Sequence, residues 1–430
     1  MSKKIKRVSI FTQGCRLNKS ESQIIEERLI LSGFKVVPFD KPADISIINT
    51  CTVTENGDRD ARKLISKTAA LNMNVQVGLV GCLSQIQKEK LLEWPNVNWV
   101  IGTHEKLNIA EIILNHQEGV VITPKLKKES FEQEFKSVAI ETQKTTRANL
   151  KIQDGCDFYC AFCIIPFARG PARSRVFKDI LKEANLHAKN GIKELVITGV
   201  NIGTYENERY QFMDIIHALE EIDGIERIRI SSIEPTTIPN VLIEHMAKEN
   251  KLCRYLHIPI QSATNDILEL MKRKYTLEEF DEFIQFAYQT VPDICIGTDV
   301  IVGFPGETDL LFEQTESYLR ESPIHYFHVF SYSERQFARS QKFDNQVPLN
   351  KISERSKCLR DLSQRKKQAF YAKFLDTTQN VLFEKGKEGL AQGLTEQFIK
   401  VQLKTEKDLR NQLLPVSMKT LTPQSVLATF

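Results

Sequence analysis

The sequence predicts an α/β chain in three parts: an open parallel-sheet domain, a partial βα barrel, and a small closed β-barrel of the OB type. Three observations lead there. Short apolar runs alternate with helix-period stretches over residues 6–114, and the alternation resumes over 146–350. Residues 376–430 consist instead of short alternating runs broken by Gly and Pro.

The elements follow in order. In the first part the strand-like runs are Val8–Phe11, Ile45–Ile48, Val75–Val80 and Trp99–Ile101, separated by helical stretches such as "KSESQIIEERLILSG" and "DRDARKLISKTAALN". Residues 115–145 are polar and charge-rich and read as a connector. The second part has runs at Leu195–Thr198, Ile228–Ile230, Tyr255–Ile260, Ile296–Val302 and Tyr326–Phe330. With the segment before Cys156 they make about six βα units. Residues 351–375 read as a basic linker helix and 376–430 as the closing β domain.

Composition narrows the class. A chain of 430 residues suits two or three domains. Its formal net charge of +3 means that a nucleic-acid surface is local rather than global. The basic start "MSKKIKRVSIF" runs on without an apolar core, so no signal peptide is expected. No apolar run approaches the roughly 20 residues that span a bilayer, and the expected location is the cytoplasm. Nine cysteines, odd in number and widely spread, do not read as a disulfide framework; metal or redox chemistry fits better. Walker-type loops and Ser or Thr nucleophile triads are missing, which leaves hydrolase and nucleotidase readings unsupported.

The cysteine positions carry the chemistry. Cys15 ends the first strand ("VSIFTQGC"), Cys51 the second ("DISIINTC") and Cys82 the third ("VQVGLVGC"). In an open parallel sheet the carboxyl ends of the strands share one edge, where ligands bind, so these three can converge. Cys156, Cys160 and Cys163 fall within eight positions, "CDFYCAFC", just after the first strand of the second part. Three thiolates held so close suit a cubane iron–sulfur cluster, or a zinc site completed by a distant residue. Cys253, Cys295 and Cys358 have no partner spacing and read as buried or helical.

The spacing of Cys156, Cys160 and Cys163 resembles the signature of radical S-adenosylmethionine (SAM) enzymes. Together, "NTCTVT", "CAFCIIPFARGPARSR", "LHIPIQSA", "DVIVGFPGET" and "HVFSYS" are similar to the methylthiotransferases of that class, and the resemblance covers nearly the whole chain. It implies a [4Fe-4S] cluster on Cys156, Cys160 and Cys163, with one iron left open for SAM, whose reductive cleavage yields a 5′-deoxyadenosyl radical. It implies a second [4Fe-4S] cluster on Cys15, Cys51 and Cys82 that carries or delivers sulfur. It places Phe162, Gly199, Glu234, Gln261 and Val302 around SAM, and makes residues 376–430 a TRAM-like RNA-binding domain.

Members of the family modify an adenosine beside the tRNA anticodon, bearing an isopentenyl or a threonylcarbamoyl group, or an aspartate of a ribosomal protein. "NTCTVTENGDRDARK" and "IIPFARGPARSR" are most similar to the threonylcarbamoyladenosine branch, and the "CxVRE" and "VVPYTRG" segments of the isopentenyl branch are missing. The implied partners are a tRNA anticodon stem-loop and an electron donor such as flavodoxin or ferredoxin, with the enzyme a monomer. Arg169, Arg173 and Arg175, and a 351–373 stretch with eight Lys or Arg against two acids, would meet phosphates. One segment departs from the family. After "HVFSYSER" the family continues with Gly-Thr and small residues, whereas this chain has Gln336-Phe337-Ala338-Arg339-Ser340, which sets bulky Phe337 and charged Arg339 on the substrate side. A reading of another class also stands: an iron–sulfur or zinc RNA-binding protein without catalysis.

Overall fold

The computed structural model describes residues 5–52, 55–115, 119–125, 127–129, 131, 146–387 and 389–430. Most of the expected connector, 115–145, lies outside them. The chain forms two compact units. The first comprises Met1–Glu141, Gln153–Val176 and Ser333–Gln341; the second Thr142–Ile152, Phe177–Tyr332 and Lys342–Phe430.

The first unit is built on a six-stranded parallel sheet. Its strands are β1 (Arg7–Thr12), β2 (Lys35–Val37), β3 (Ile45–Thr50), β4 (Gln76–Gly81), β5 (Val97–Ile101) and β6 (Val120–Ile122), in the order β2-β1-β3-β4-β5-β6. Helices α1 (Arg16–Leu31), α2 (Glu55–Leu71), α3 (Cys82–Gln87) and α4 (Ile109–Asn115) connect them. β3 is buried along its whole length, which is why it reads as a continuous apolar run. β6 falls inside the expected connector: Val120–Ile122 pairs with Trp99–Ile101 as the edge of the sheet, too short an apolar run to announce itself. Helix α5 (Ile165–Arg169) belongs to this unit as well.

The second unit holds six parallel strands: β7 (Arg147–Lys151), β8 (Glu194–Thr198), β9 (Arg227–Ile230), β10 (Tyr255–His257), β11 (Cys295–Val302) and β12 (Tyr326–Ser331). Two ladders, β7-β8-β9 and β10-β11-β12, meet through bridges that join Ile228 to Leu252 and Ser232 to His257. Among the described residues no pairing returns β12 to β7, so this is the partial βα barrel expected from the sequence.

Strand polarity in this barrel has a clear period of two. Ala148, Leu150, Leu195, Ile197, Ile228, Ile230, Leu256, Ile296, Val300 and Phe327 enter one core with the surrounding helices. The alternate positions, which point to the opposite face of the sheet, are Arg147, Glu194, Arg227, Arg229, Tyr255, His257, Asp299, Tyr326 and His328. The lumen is therefore polar, unlike the apolar filling of a complete barrel.

The amino ends of these strands rest on a second, closed barrel. Its strands are β13 (Thr378–Lys387), β14 (Leu390–Leu394), β15 (Lys400–Lys404), β16 (Leu413–Leu421) and β17 (Val426–Thr429), in the order β13-β14-β15-β17-β16. Arg227 donates to the carbonyls of Leu394 and Asn380 at 3.0 and 2.7 Å. Arg229 donates to those of Glu396 and Thr395 at 2.7 and 3.1 Å and pairs with Glu194 at 2.8 Å. The ring of Phe398, at a φ of 66°, lies 5.2 Å from the Arg229 guanidinium and 4.9 Å from Tyr255.

Helix α7 (Leu349–Ala372) precedes the small barrel and buries Phe370 and Tyr371 with it. Much of its positive charge is used within the unit. Arg355 pairs with Glu307 at 2.6 Å and Asp309 at 2.8 Å, and Lys351 with Asp309 at 2.7 Å. The Lys366 ammonium donates to the carbonyls of Leu319, Arg320 and Ser322, at the carboxyl end of helix α6 (Asp309–Glu321). Burial brings that ammonium down to about 8. Lys357, Arg360, Arg365 and Lys373 stay exposed.

Glu194 and Arg229 are both fully buried. Burial pushes the Glu194 carboxyl up, but Arg229, Arg147 and Arg227 outweigh it and hold it below the ordinary range. Arg229→Met is expected to lower unfolding free energy by about 3–5 kcal/mol, because Glu194 keeps its charge without its partner; a shifted urea midpoint checks this. The pair's contribution is full above the ordinary glutamate pKa of about 4.3 and is lost as pH falls through the lower folded value. The variant's remaining stability should therefore fall less steeply with acid than that of the wild type.

Candidate functional site: two cysteine triplets and a polar lumen

At the carboxyl edge of the first unit's sheet the chain turns sharply from strand to helix. Gly14 and Gly81, each one residue before a cysteine, adopt φ values of 80° and 97°. A Cβ on Gly14 would lie 2.6 Å from both Cβ and Sγ of Cys51, and one on Gly81 would lie 2.7 Å from Asn49 Oδ1. Only glycine lets these turns close. Cys15 then sits at the N-cap of α1, Cys51 directly after β3, and Cys82 opens α3. Cys51 packs on the Gly14 turn and Cys82 lies within electrostatic reach of Cys15, so the three strand-end cysteines share one edge.

The second triplet lies on a loop of the same unit. Gly155, at φ 73°, would clash through a Cβ with the Pro171 carbonyl at 2.0 Å. Cys156 N donates to Gly170 O at 3.1 Å and Cys163 N to Cys160 O at 3.0 Å, which folds "CDFYCAFC" back on itself. Cys156, Cys160 and Cys163 are half-buried, and none of the nine described cysteines forms a disulfide. α5 packs on α3, and Cys82, Ile86, Ile164 and Ala168 form one small apolar cluster. The two triplets are thus adjacent within one unit.

A buried cation joins them. The Arg169 guanidinium, 1% exposed, contacts Glu21 Oε1 and Oε2 at 3.2 and 3.1 Å, Asn18 Oδ1 at 2.7 Å and Asp154 Oδ1 at 3.0 Å. Lys106 Nζ meets Glu21 Oε2 at 2.5 Å. Burial pushes the Cys82 thiol up, with Arg169 and Lys106 pulling the other way.

This corrects the expectation for the basic run. Arg169, Arg173 and Arg175 are all buried. Arg173 lies 3.5 Å from Asp154 and donates to the Arg169 carbonyl, so Arg169 and Arg173 neutralise internal carboxylates, and none of the three presents a phosphate patch. Phe337 and Arg339 are exposed. Their segment is tied to the cysteine loop by Ser340 N donating to Ala161 O at 3.0 Å, and Phe337 stacks on Phe167 at 5.5 Å. Phe162 is half-buried.

In the second unit Gly199 follows β8 and is half-exposed. Glu234 follows β9 and pairs with Arg273. Gln261 holds a φ of 67° while its backbone N and O bond to Asp299 O and Ile301 N, a strained strand-end position for a residue with a side chain. Val302 differs from expectation: its side chain is buried in the helix-facing core, because it shares parity with Ile296 and Val300. Its backbone alone could face a cofactor. Cys253 and Cys295 are buried and their thiols pushed up to about 12, as befits core residues, and Cys358 is exposed on α7.

Comparison with known proteins fixes the family. Residues 7–102 match the Uncharacterized protein family UPF0004, and residues 150–319 match the Radical SAM superfamily. The Threonylcarbamoyladenosine tRNA methylthiotransferase MtaB of Aquifex aeolicus is 37% identical over 85% of this chain and 90% of its own length. This chain belongs to the radical-SAM methylthiotransferase family. A second member, the tRNA-2-methylthio-N(6)-dimethylallyladenosine synthase of Thermodesulfovibrio yellowstonii, is 32% identical over 90% of each chain. Among solved structures, the radical S-adenosylmethionine methyltransferase TsrM of Kitasatospora setae shares the fold, with a TM-score of 0.54 and 14% identity over 76% of this chain and 73% of that one.

A radical-SAM methylthiotransferase works with a [4Fe-4S] cluster and SAM. The half-buried thiols of the "CDFYCAFC" loop suit thiolate ligation of iron. At the sheet edge the Gly14 turn leaves room for Cys51 that any side chain would fill.

Arg169→Met is expected to leave Glu21 and Asp154 without their shared cation. Unfolding free energy should fall by about 3–5 kcal/mol, and iron and sulfide per chain should drop with it. Chemical denaturation and iron–sulfide assays of purified protein check the two effects.

Proposed function

We propose that this methylthiotransferase acts on tRNA, placing a methylthio group on C2 of N6-threonylcarbamoyladenosine beside the anticodon. The observation that carries the reading is the 37% identity, over 85% of the chain, to a relative named for that substrate. The "NTCTVT" and "PFARGPARSR" segments of this chain support the same branch. A second reading, dimethylallyladenosine, is favoured by the relative named for it at 32% identity.

In this reading Cys156, Cys160 and Cys163 hold the cluster that meets SAM, and Cys15, Cys51 and Cys82 hold a second cluster bearing sulfur. When bound, the first cluster supplies the electron that cleaves SAM, and SAM supplies both the radical and the methyl group. The protein's part is placement. Gly14, Gly81 and Gly155 set the turns that aim the thiols, and the Arg169 network fixes one triplet against the other. The target base must leave its stack, because its C2 edge is closed inside stacked bases. Exposed Phe337, Phe167 and Tyr159 offer ring faces on which unstacked neighbours can rest. The partners are then a tRNA anticodon stem-loop and a one-electron donor of the flavodoxin or ferredoxin kind.

Nucleoside profiling of bulk tRNA by liquid chromatography and mass spectrometry tests the reading. Cells lacking the gene are expected to lose 2-methylthio-N6-threonylcarbamoyladenosine, with restoration by wild type and not by Cys156→Ala. Loss of the methylthio-dimethylallyl nucleoside instead would establish the second reading, and an unchanged profile would overturn both.

A further inference from the structure

The barrel lumen holds a set of nitrogen and oxygen donors that the cysteine triplets and the expected SAM-pocket residues leave unused. His257 Nε2 lies 2.9 Å from Asp299 Oδ1, and His328 Nδ1 lies 3.2 Å from the same oxygen. The three residues offer donor atoms within 4.8 Å of one another. Strand register builds the set: His257 of β10 pairs with Gly297 of β11, and Asp299 of β11 with His328 of β12, so the side chains emerge on one face of three adjacent strands. Tyr326 Oη stands 3.0 Å from His257 Nδ1 and 2.6 Å from Tyr255 Oη. Gly297 makes room for that tyrosine, because a Cβ there would stand 2.2 Å from the Tyr326 ring.

A carboxylate only accepts, so on their own both imidazoles turn an N–H toward Asp299. An imidazole ligates a metal in its neutral form, through a bare nitrogen. Moving one proton within each ring supplies that nitrogen: His257 then carries its proton on Nδ1 and His328 on Nε2, with none gained or lost. Both relocated N–H groups are provided for. His257 Nδ1–H meets Tyr326 Oη, whose own hydroxyl turns to Tyr255. His328 Nε2–H is left to water, its side chain being 59% exposed. A ligating histidine whose second nitrogen is tied to an oxygen is held in one tautomer and one ring plane. The spacing agrees as well. Ligand atoms on one ion, at bonds of about 2.1 Å, stand about 3.0–3.4 Å apart in octahedral or tetrahedral geometry, against the 2.9 and 3.2 Å found here.

We propose that His257, Asp299 and His328 bind one divalent transition-metal ion of the class that favours imidazole, such as zinc or iron(II). Two imidazoles and a carboxylate are a ligand set for such ions, and three protein ligands leave positions for water or a substrate oxygen. Side-chain exposure rises from 5% at His257 through 22% at Asp299 to 59% at His328, which gives the ion a rigid inner ligand and an entry path past the outer one. The site belongs to the second unit, whereas both cysteine triplets belong to the first, and the inference holds whichever tRNA nucleoside is modified. A looser set, His217, Glu220 and His245, lies on the helices Phe212–Glu220 and Asn240–Met246. There His217 Nδ1 is 3.8 Å from Glu220 and the His217 side chain is 55% exposed, so this set serves as the control.

The test loads the full-length enzyme with its clusters, so that their cysteine ligands are taken, and dialyses it anaerobically against buffered zinc. Zinc, iron and sulfide per chain are measured by mass spectrometry and colorimetry, and the zinc shell by X-ray absorption. Wild type is expected to hold one zinc per chain, with nitrogen and oxygen neighbours at about 2.0–2.1 Å and no sulfur at about 2.3 Å. His328→Leu should bind zinc about tenfold or more weakly, with circular dichroism and cluster iron unchanged, and His217→Ala should bind it as wild type does. Wild type without stoichiometric zinc overturns the inference with no variant needed, and so does a zinc shell containing sulfur, which would place the ion on cysteine. Undiminished affinity in His328→Leu also overturns it, as does loss of the ion in His217→Ala, which would assign the zinc to the helices instead.

Discussion

The first unit depends on a charge that water does not reach. Arg169 sits with almost no exposure between two carboxylates, one on the helix that Cys15 caps and one at the foot of the Cys156 loop. An isolated buried guanidinium would be prohibitively costly, and so would the carboxylates. Each therefore requires the others, and the requirement is geometric, since a planar guanidinium satisfies its partners only in one orientation. Two loops far apart in the chain are thereby held in one arrangement. The glycine turns at positions 14, 81 and 155 then convert that fixed frame into the positions of six thiols.

The second unit solves a different problem. Its strands are apolar toward the helices and polar toward the lumen, so the barrel cannot be completed by hydrophobic filling. Polar lumen residues must be satisfied or wet. Toward the amino ends they are satisfied: Arg227 and Arg229 find four carbonyls of the small barrel, and Glu194 lies between Arg147 and Arg229. Further along, the tyrosine–histidine–aspartate chain satisfies its members in series and comes to an accessible end at His328. The lumen thus grades from a sealed ionic floor to an exposed polar wall.

Much of this was legible in the sequence. Strand ends at Cys15, Cys51 and Cys82, the "CDFYCAFC" loop and the six βα units all follow from apolar period and spacing, which are local signals. What was missed depends on neighbours distant in the chain. Arg169, Arg173 and Arg175 look like a surface run because their burial, and the partners of Arg169 and Arg173 at Glu21 and Asp154, are not visible from within the run. The motif around Val302 points to the pocket, whereas strand parity turns its side chain to the helices. The His257, Asp299 and His328 set did leave a trace, since each is a polar residue at an alternate position of an otherwise apolar strand. Three such residues on adjacent strands become one site only when the register is known.

The position of Phe398 has a consequence for how the parts can be exchanged. Its ring lies against Arg229 and Tyr255, and the loops around it supply the carbonyls that Arg227 and Arg229 need. The terminal barrel is therefore not an appendage joined by a tether; it is the floor of the central one. Removing it would leave two buried arginines facing water-filled space, and grafting a different module in its place would require that module to carry the same carbonyls and ring. Substitutions at the open end of the lumen, around His328, or at exposed Phe337 leave that floor undisturbed.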